Sequence, residues 1–498
     1  MTSRRTFLRL FGLSLACYCA RPVRAAEPKR PNLLIVFPDQ MRAHALGFMG
    51  LDLAQTPRLD AFARQAHTFT QAISNYPVCS PFRAIFLSGA MPEVSGVWAN
   101  CASTDKRRGP ELRADITCWS DLLARAGYDL AYIGKWHLDA PHPPWIPTYN
   151  NNGKLKWNEW CPPARRHGFN HWYAYGTYDW HLRPMYWDGN APREGFHFVD
   201  QWGPEHEADR AIDFLKTAQR PFALVVSMNP PHTGYELVPE KYRARFRGKP
   251  AETLAKGDYP PADTPMGRHF RTSMPDYLAA VAGVDEQFGR ILDALAAEHL
   301  EEETIVLFCS DHGCCLGAHG LQAKNNPYEE SMRIPLMIRW PGHIPHTFDS
   351  SLVDAFDLAP TLLGLLGQPI PPHMIGRNLA DHLRAAEPPA PLQRPCLYLH
   401  YASPEGSNAL PATPIGTPEH TLPNPHAYGR RGLRDTRYTA VFSCPGPQKP
   451  LCATLWDRES DPDQRHNLAD SRPDLVAAYR AQLRERLQAL DDPFAQLL

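Results

Sequence analysis

Charge of a single sign is missing from this chain: 52 Lys and Arg against 53 Asp and Glu leave a net −1 at pH 7 over 498 residues. That balance excludes a broad basic face of the kind that tracks nucleic acid or an anionic membrane. A membrane-spanning apolar run is missing too, since the stretch from Leu10 to Ala20 is too short to cross a bilayer. No internal repeat is visible, and the twelve cysteines include no Cys-x-x-Cys spacing, which argues against a zinc site built from them. Proline is not scarce. Its 51 copies beside 43 % apolar residues point to long ordered loops around a sizeable core, not to disorder. At this length one large domain with a smaller companion is expected.

An N-terminal address is present. Arg4 and Arg5 precede the short apolar stretch, and Arg21 to Ala26 close it, the layout of a twin-arginine export signal with cleavage after Ala25. Ser14-Leu15-Ala16 before Cys17 is a poor lipoprotein match. Removing residues 1–25 takes away five arginines and no acid, so −1 becomes −6. The expectation is a periplasmic or secreted protein carried by the Tat export machinery.

Four short apolar runs read as strands buried on both faces: Asn32 to Phe37, Leu130 to Ile133, Phe222 to Val226 and Thr304 to Cys309. Helical patterns lie between them at Pro57 to Gln65, Cys118 to Ala126, Glu207 to Thr217 and Tyr277 to Ala297. The alternation predicts an α/β fold, a large mixed, mainly parallel sheet flanked by helices. Residues 366–395 read as a linker. Strand patterns at Cys396 to Tyr401, Tyr438 to Phe442 and Ala453 to Trp456, with a helical one at Pro473 to Leu490, predict a smaller C-terminal α+β domain, in which Ser403 to His426 is a long surface loop. The expected divisions are a signal over 1–25, a catalytic domain over 26–370 and the C-terminal unit over 371–498.

Ligands of such sheets collect beyond the carboxyl ends of the strands, and each apolar run ends in residues with chemistry in them. Asp39-Gln40 follow the first, Gly134-Lys135-Trp136-His137 the second and Asn229-Pro230-Pro231-His232 the third. Ser310-Asp311-His312-Gly313 follow the fourth, with Lys324 on the next loop. Cys79-Ser80-Pro81-Phe82-Arg83 adds a nucleophile at a helix start, with Ser80 reading as N-cap, Pro81 as first helical residue and Gly89 as the stop. Free N–H groups there, with the Arg83 fork, suit an oxyanion. Asp39 and Asp311 offer carboxylates to a divalent cation, Gln40 a neutral oxygen and His312 a nitrogen. Oxygen-rich ligation favours Ca2+, with Mg2+ or Mn2+ next in line. One Asp after a strand commonly caps a turn. Two at matching strand ends, beside Cys79, argue for a site.

Cys-x-Pro-x-Arg with its Leu87-Ser88-Gly89 ending resembles the activation motif of type I sulfatases, in the alkaline-phosphatase-like superfamily, whose cysteine becomes formylglycine after translation. The resemblance runs from about residue 31 to 342, with a fainter echo from Thr454 to Leu468. It implies an alkaline-phosphatase-like fold and a formylglycine at Cys79, installed by a formylglycine-generating enzyme. It also implies a metal held by Asp39, Gln40, Asp311 and His312, with the modified Cys79 completing the coordination. Lys135 and His137 would orient the formylglycine hydroxyls, His232 and Lys324 grip the sulfate and its leaving oxygen, and Arg83 neutralise charge. One hydroxyl of the aldehyde hydrate attacks sulfur, His232 protonates the departing alcohol, and His137 deprotonates the second hydroxyl as sulfate leaves. Phe82 stands where the family often has a small residue. Converting Cys79 leaves nine of the ten cysteines beyond the signal, so at least one thiol stays unpaired.

Residues 136–202 are crowded with tryptophan and tyrosine, a composition suited to stacking on sugar rings. Trp180, His181 and Arg183 are the expected substrate contacts, and Asn100 is expected to line the site. The activity these residues point to is hydrolysis of sulfuric esters, with a sulfated carbohydrate as substrate. Two other classes fit the same residues: a phosphonate monoester or phosphodiester hydrolase on this scaffold, and a non-catalytic glycan-binding protein if Cys79 is never oxidised.

Overall fold

The computed structural model describes residues 30–498 except 219–220, 258, 388, 402–409 and 419–420. The export stretch 1–25 and part of the expected 403–426 loop lie outside the described residues. Ten strands form the large sheet: β1 (Asn32–Val36), β2 (His67–Ile73), β3 (Asp129–Lys135), β4 (His171–Tyr175), β5 (Met185–Asp188), β6 (His197–Phe198), β7 (Phe222–Ser227), β8 (Thr304–Cys309), β9 (Leu336–Arg339) and β10 (Thr347–Asp354). Their order is β10-β2-β9-β8-β1-β7-β3-β4-β5-β6. From β8 to β4 all neighbours are parallel. β9 lies antiparallel between β8 and β2, so β2 runs in the same direction as the centre. The sheet is the mixed, mainly parallel one that the alternation predicts.

Central strands carry no polar face because both faces are covered. Leu33 and Ile35 join a core with Phe82, Trp119 and Leu362. Leu34 and Val36 point the other way, into a core with Phe62, Phe214 and Phe288. The helix at Pro265–Ala297 starts well before the expected Tyr277, since its first turns are partly exposed and lack the apolar period. Thr264 caps it, its side chain accepting the Gly267 N–H at 3.0 Å.

A second sheet holds β11 (Cys396–Tyr401), β12 (Thr413–Gly416), β13 (Gly429–Arg434), β14 (Tyr438–Cys444) and β15 (Leu451–Asp457), antiparallel in the order β11-β13-β14-β15-β12. The helix Pro473–Gln488 accompanies it. Two expectations change here. β12 makes the supposed surface loop an edge strand. The 366–395 stretch contains the helix Ala380–Arg384, with Leu379, Ala380 and Leu383 buried, and Arg377 pairs with Asp357 at 2.6 Å. It is a packed strap, not a bare linker. All ten cysteines among the described residues are free thiols.

Candidate active site

Strand order brings five segments to one edge of the large sheet. Asp39 follows β1, Lys135 ends β3, Ser227 ends β7, Asp311 and His312 follow β8, and β2 leads into the helix Cys79–Ser88. That helix starts earlier than the Ser80 cap predicts, with Val78 as N-cap, and closes at Gly89 with φ +62°. Ser80 instead braces the neighbouring loop: its Oγ accepts from Cys101 N at 3.0 Å, and its own N–H donates to Asn100 Oδ1 at 3.2 Å.

Arg83 is the hub. Nη2 lies 3.1 Å from Asp39 Oδ2 and 3.3 Å from Asp311 Oδ2, while Nη1 donates to the Lys135 carbonyl at 2.6 Å and to Ser227 Oγ at 2.8 Å. The guanidinium rests 4.9 Å over the Phe37 ring and is 1 % exposed. Arg83 therefore holds the two carboxylates from behind and does not itself line the cavity. Lys135 Nζ lies 2.7 Å from Asp39 Oδ2 and donates to Asn229 Oδ1 at 3.0 Å. Around Cys79 Sγ stand His312 Nε2 and Lys324 Nζ, both at 3.3 Å, Asp39 Oδ1 at 3.6 Å and Lys135 Nζ at 4.0 Å.

Ionisation follows from this packing. Burial and Asp39 push the Cys79 thiol up, but Lys135, Lys324 and a hydrogen bond from His232 outweigh them and bring it down to about 7. Burial together with the Asp39 charge lifts Asp311 to about 7. Burial also opposes ionisation of Asp39, yet Lys135, His232 and Lys324 hold it well below the usual carboxylate range. Burial brings His312 down to about 4. For His137, burial plus the Lys135 and Arg83 charges push the imidazole well below its ordinary value.

The donor set fits a divalent cation. Asp39, Cys79, Asp311 and His312 place ligand atoms within 4.8 Å of one another. Arg83 holds the two Oδ2 atoms, and both Oδ1 atoms face His312 Nε2 at 3.7 and 3.6 Å. His312 Nδ1 donates to the Gly313 carbonyl at 2.9 Å, which leaves Nε2 as the lone-pair nitrogen. Two buried carboxylates with like charge are what a dication would relieve. Gln40 (φ +69°) donates its backbone N–H to Asp311 Oδ1 at 2.9 Å. Its side chain is held between the Tyr235 hydroxyl and Lys324 Nζ, at 2.7 and 2.8 Å.

A cavity of about 690 Å3 opens over Cys79, and Asn100, Lys135, His137, His232 and Lys324 line it. His137 has φ +53° and is buried, with neither ring nitrogen hydrogen-bonded among the described residues. His232 stands between Asp179 Oδ1, 3.1 Å from its Nδ1, and Lys324 Nζ, 2.8 Å from its Nε2. Trp180, His181 and Arg183 do not line the cavity. His181 is buried, its Nε2 2.9 Å from the Thr233 carbonyl and 3.2 Å from that of His232, so it braces the His232 turn. Arg183 pairs with Asp200 at 2.9 Å on the surface. Trp180 is 49 % exposed and stacks edge-on with Tyr149 at 6.1 Å.

Sequence reasoning gave Asp179 and Asn229 no role of their own. Asp179 accepts from Asn229 Nδ2 at 2.9 Å, and Asn229 in turn takes Lys135. Asn229 stood in plain view, two residues past β7. Asp179 stood among the polar residues of the aromatic stretch, and nothing in the sequence tied it to His232.

The sulfatase family profile matches residues 31–368, and the profile for the C-terminal part of N-sulphoglucosamine sulphohydrolase matches 317–492. An endo-4-O-sulfatase of Bacteroides thetaiotaomicron is 36 % identical, covering 96 % of each chain. An ulvan-active sulfatase of Formosa agariphila is 30 % identical over 94 % of this chain and 83 % of its own. A solved sulfatase structure from Bacteroides fragilis superposes with a TM-score of 0.86 at 43 % identity, over 95 % of this chain and 99 % of the other.

Proposed function

The chain belongs to the sulfatase family and is a sulfatase, and from that premise we propose that it releases inorganic sulfate from a sulfated glycan, using a formylglycine made from Cys79 and a divalent cation. The observation that carries the reading is the meeting of Cys79 with two carboxylates, an imidazole and two lysines at one sheet edge. Asp39, Asp311 and His312 would hold the cation, Ca2+ before Mg2+ or Mn2+. When bound, the cation supplies Lewis acidity and the hydrated aldehyde supplies the nucleophilic hydroxyl.

The chain's own residues do the rest. Lys135 and Lys324 flank the Cys79 position and offset the negative charge of a sulfate monoester, holding its sulfur over that position. Asp179 fixes His232 through Nδ1, which leaves Nε2 to exchange a proton with the leaving oxygen beside Lys324. His137, its ring nitrogens without a hydrogen-bond partner among the described residues, is placed to accept the proton released when the aldehyde reforms.

Two things support a glycan as substrate. Of the two relatives reported above, one is named an endo-4-O-sulfatase and the other for action on ulvan. The cavity also opens onto exposed aromatic rings: Tyr149 at its wall is 45 % exposed and meets Trp180, 49 % exposed, at 6.1 Å, with the buried Tyr178 packed behind Tyr149 at 5.2 Å. Such rings suit the chain on either side of a sulfated residue.

Maturation would precede export. Cys79 is 2 % exposed in the fold, so a formylglycine-generating enzyme would meet it before folding, in the cytoplasm, and the Tat route then carries the folded product to the periplasm or beyond. Thiol in the cytoplasm with aldehyde only outside it would contradict that order. The activity itself is tested with 4-O-sulfated oligosaccharides, small aryl sulfates and matched phosphate or phosphonate esters. Sulfate release from the oligosaccharides is expected to dominate. Turnover of aryl esters alone would defeat the glycan reading, and faster turnover of phosphonates or phosphodiesters would favour that hydrolase instead.

A further inference from the structure

Away from the catalytic edge, β2, β10 and the helix of the 366–395 strap meet at one point. His67 Nε2 lies 3.0 Å, and His382 Nε2 2.7 Å, from the same oxygen, Asp349 Oδ2. The side chains are 2 %, 9 % and 7 % exposed, for His67, His382 and Asp349. All three ligand atoms fall within 4.8 Å of one another. We propose that His67, Asp349 and His382 form a second metal site, for Zn2+ or a similar borderline dication, that fastens the strap to the edge of the large sheet.

Three observations point to an ion over a simple hydrogen-bonded cluster. The donors are two imidazole nitrogens and one carboxylate oxygen, a set that suits zinc and differs from the oxygen-rich group at Cys79. Their geometry is compatible: at Zn–N distances of about 2.0–2.1 Å, two imidazoles on one tetrahedral ion hold ring centroids roughly 5 Å apart, and those of His67 and His382 are 5.8 Å apart at 63°. The carboxylate also lacks a cation of its own. Asp349 is buried, with its carboxylate facing only the two imidazoles and the Ser351 N–H among the described residues. No lysine or arginine pairs with it among the described residues, so a dication would supply the missing charge.

Supporting contacts are in place. Asp349 Oδ1 accepts the Ser351 N–H at 2.7 Å, which orients Oδ2 toward the histidines. The register of β10 against β2 shifts between Asp349 and Leu352, the bulge that turns this carboxylate. Phe69 packs on both rings, at 4.7 Å from His67 and 6.3 Å from His382, and keeps that side apolar. Three protein ligands leave a fourth position for water, by way of the partly exposed His382 edge. β10 is the outer strand of the sheet, so the ion would hold the Ala380–Arg384 helix over an otherwise open edge.

The test separates this site from the catalytic one. Chelator-stripped protein carrying Asp311→Asn, or wild type saturated with Ca2+, is dialysed against Zn2+ and its metal content measured; Co2+ is added in parallel and its visible absorption recorded. One tightly held equivalent is expected in both, with tenfold or greater weakening in His67→Gln and in His382→Gln, while sulfate release by Ca2+-loaded His382→Gln stays unchanged. His382→Gln is the informative variant, because its partly exposed position tolerates the change. No retained equivalent, or the same equivalent in both glutamine variants, would overturn the assignment.

Discussion

Arg83 shows how one side chain can set a site without lining its cavity. It neutralises the Oδ2 atoms of Asp39 and Asp311 and ties β3 and β7 to the Cys79 helix. Arg83→Met removes the cation and leaves both buried carboxylates, so a loss of about 3–5 kcal/mol in denaturant unfolding is expected, along with loss of turnover. Asp179 is a different case. Asp179→Asn keeps the shape but withdraws the charge that fixes His232, so kcat should fall roughly 10²–10⁴-fold. Little change in Tm is expected, and a shifted acid limb in the pH–rate profile would mark it as a positioning group. Unchanged kcat would remove His232 from the proton transfer. Nearly all of the central residues were legible one at a time, because each follows a buried apolar run at once. The surroundings were less so. Trp180, His181 and Arg183 stood in a suggestive composition, and composition does not say that His181 braces a turn and Arg183 pairs with Asp200 while Trp180 meets Tyr149 at the cavity wall.

Among elements, the junction of β3 with β7 carries the greatest constraint. Gly134 has φ +99°, and a Cβ there would fall 2.1 Å from the Ser227 carbonyl oxygen. Gly134→Ala forces apart the two strands that present Lys135 and Asn229, so insoluble or inactive protein is expected from an expression and activity assay. Next to it, Glu207 on the helix Gly203–Thr217 is fully buried against the Tyr186 hydroxyl at 3.1 Å, and burial lifts its carboxyl to about 8. A folded value above the unfolded 4.5 means that the native state binds the extra proton, so this contribution is intact below pH 4.5 and is lost as pH rises through about 8. Glu207→Gln should flatten the fall of Tm over that window, and an unaltered slope would show that Glu207 is not the group responsible. Strands β1 and β8 were readable because both their faces are buried. β2, with alternating polar residues, the four-residue β9 and the polar start of β10 gave no apolar run, so the antiparallel insertion went unseen.

For the whole molecule, the large sheet and its loops supply every residue that lines the cavity, while the strap packs at the far strand β10. No helix among the described residues is long and apolar enough to cross a membrane. The exposed rings beside the cavity make a chain-length prediction. Tyr149→Ala should raise KM for sulfated oligosaccharides by about 2–10-fold, the size of an aromatic contact, while a small aryl sulfate is turned over as before. Equal effects on both would place Tyr149 in the cavity alone. The small C-terminal sheet was foreseeable from the strand patterns at Cys396 to Tyr401, Tyr438 to Phe442 and Ala453 to Trp456, but the strap's packing was not, because its contacts are with residues distant in sequence.

The most direct test joins chemistry to turnover. Across preparations in which Cys79 is converted to different extents, peptide mass spectrometry gives the aldehyde fraction and ion chromatography the sulfate released per enzyme. Turnover should rise in proportion to the aldehyde fraction, extrapolate to zero without it and vanish in Cys79→Ala. Undiminished sulfate release from protein whose Cys79 remains a thiol would contradict the account.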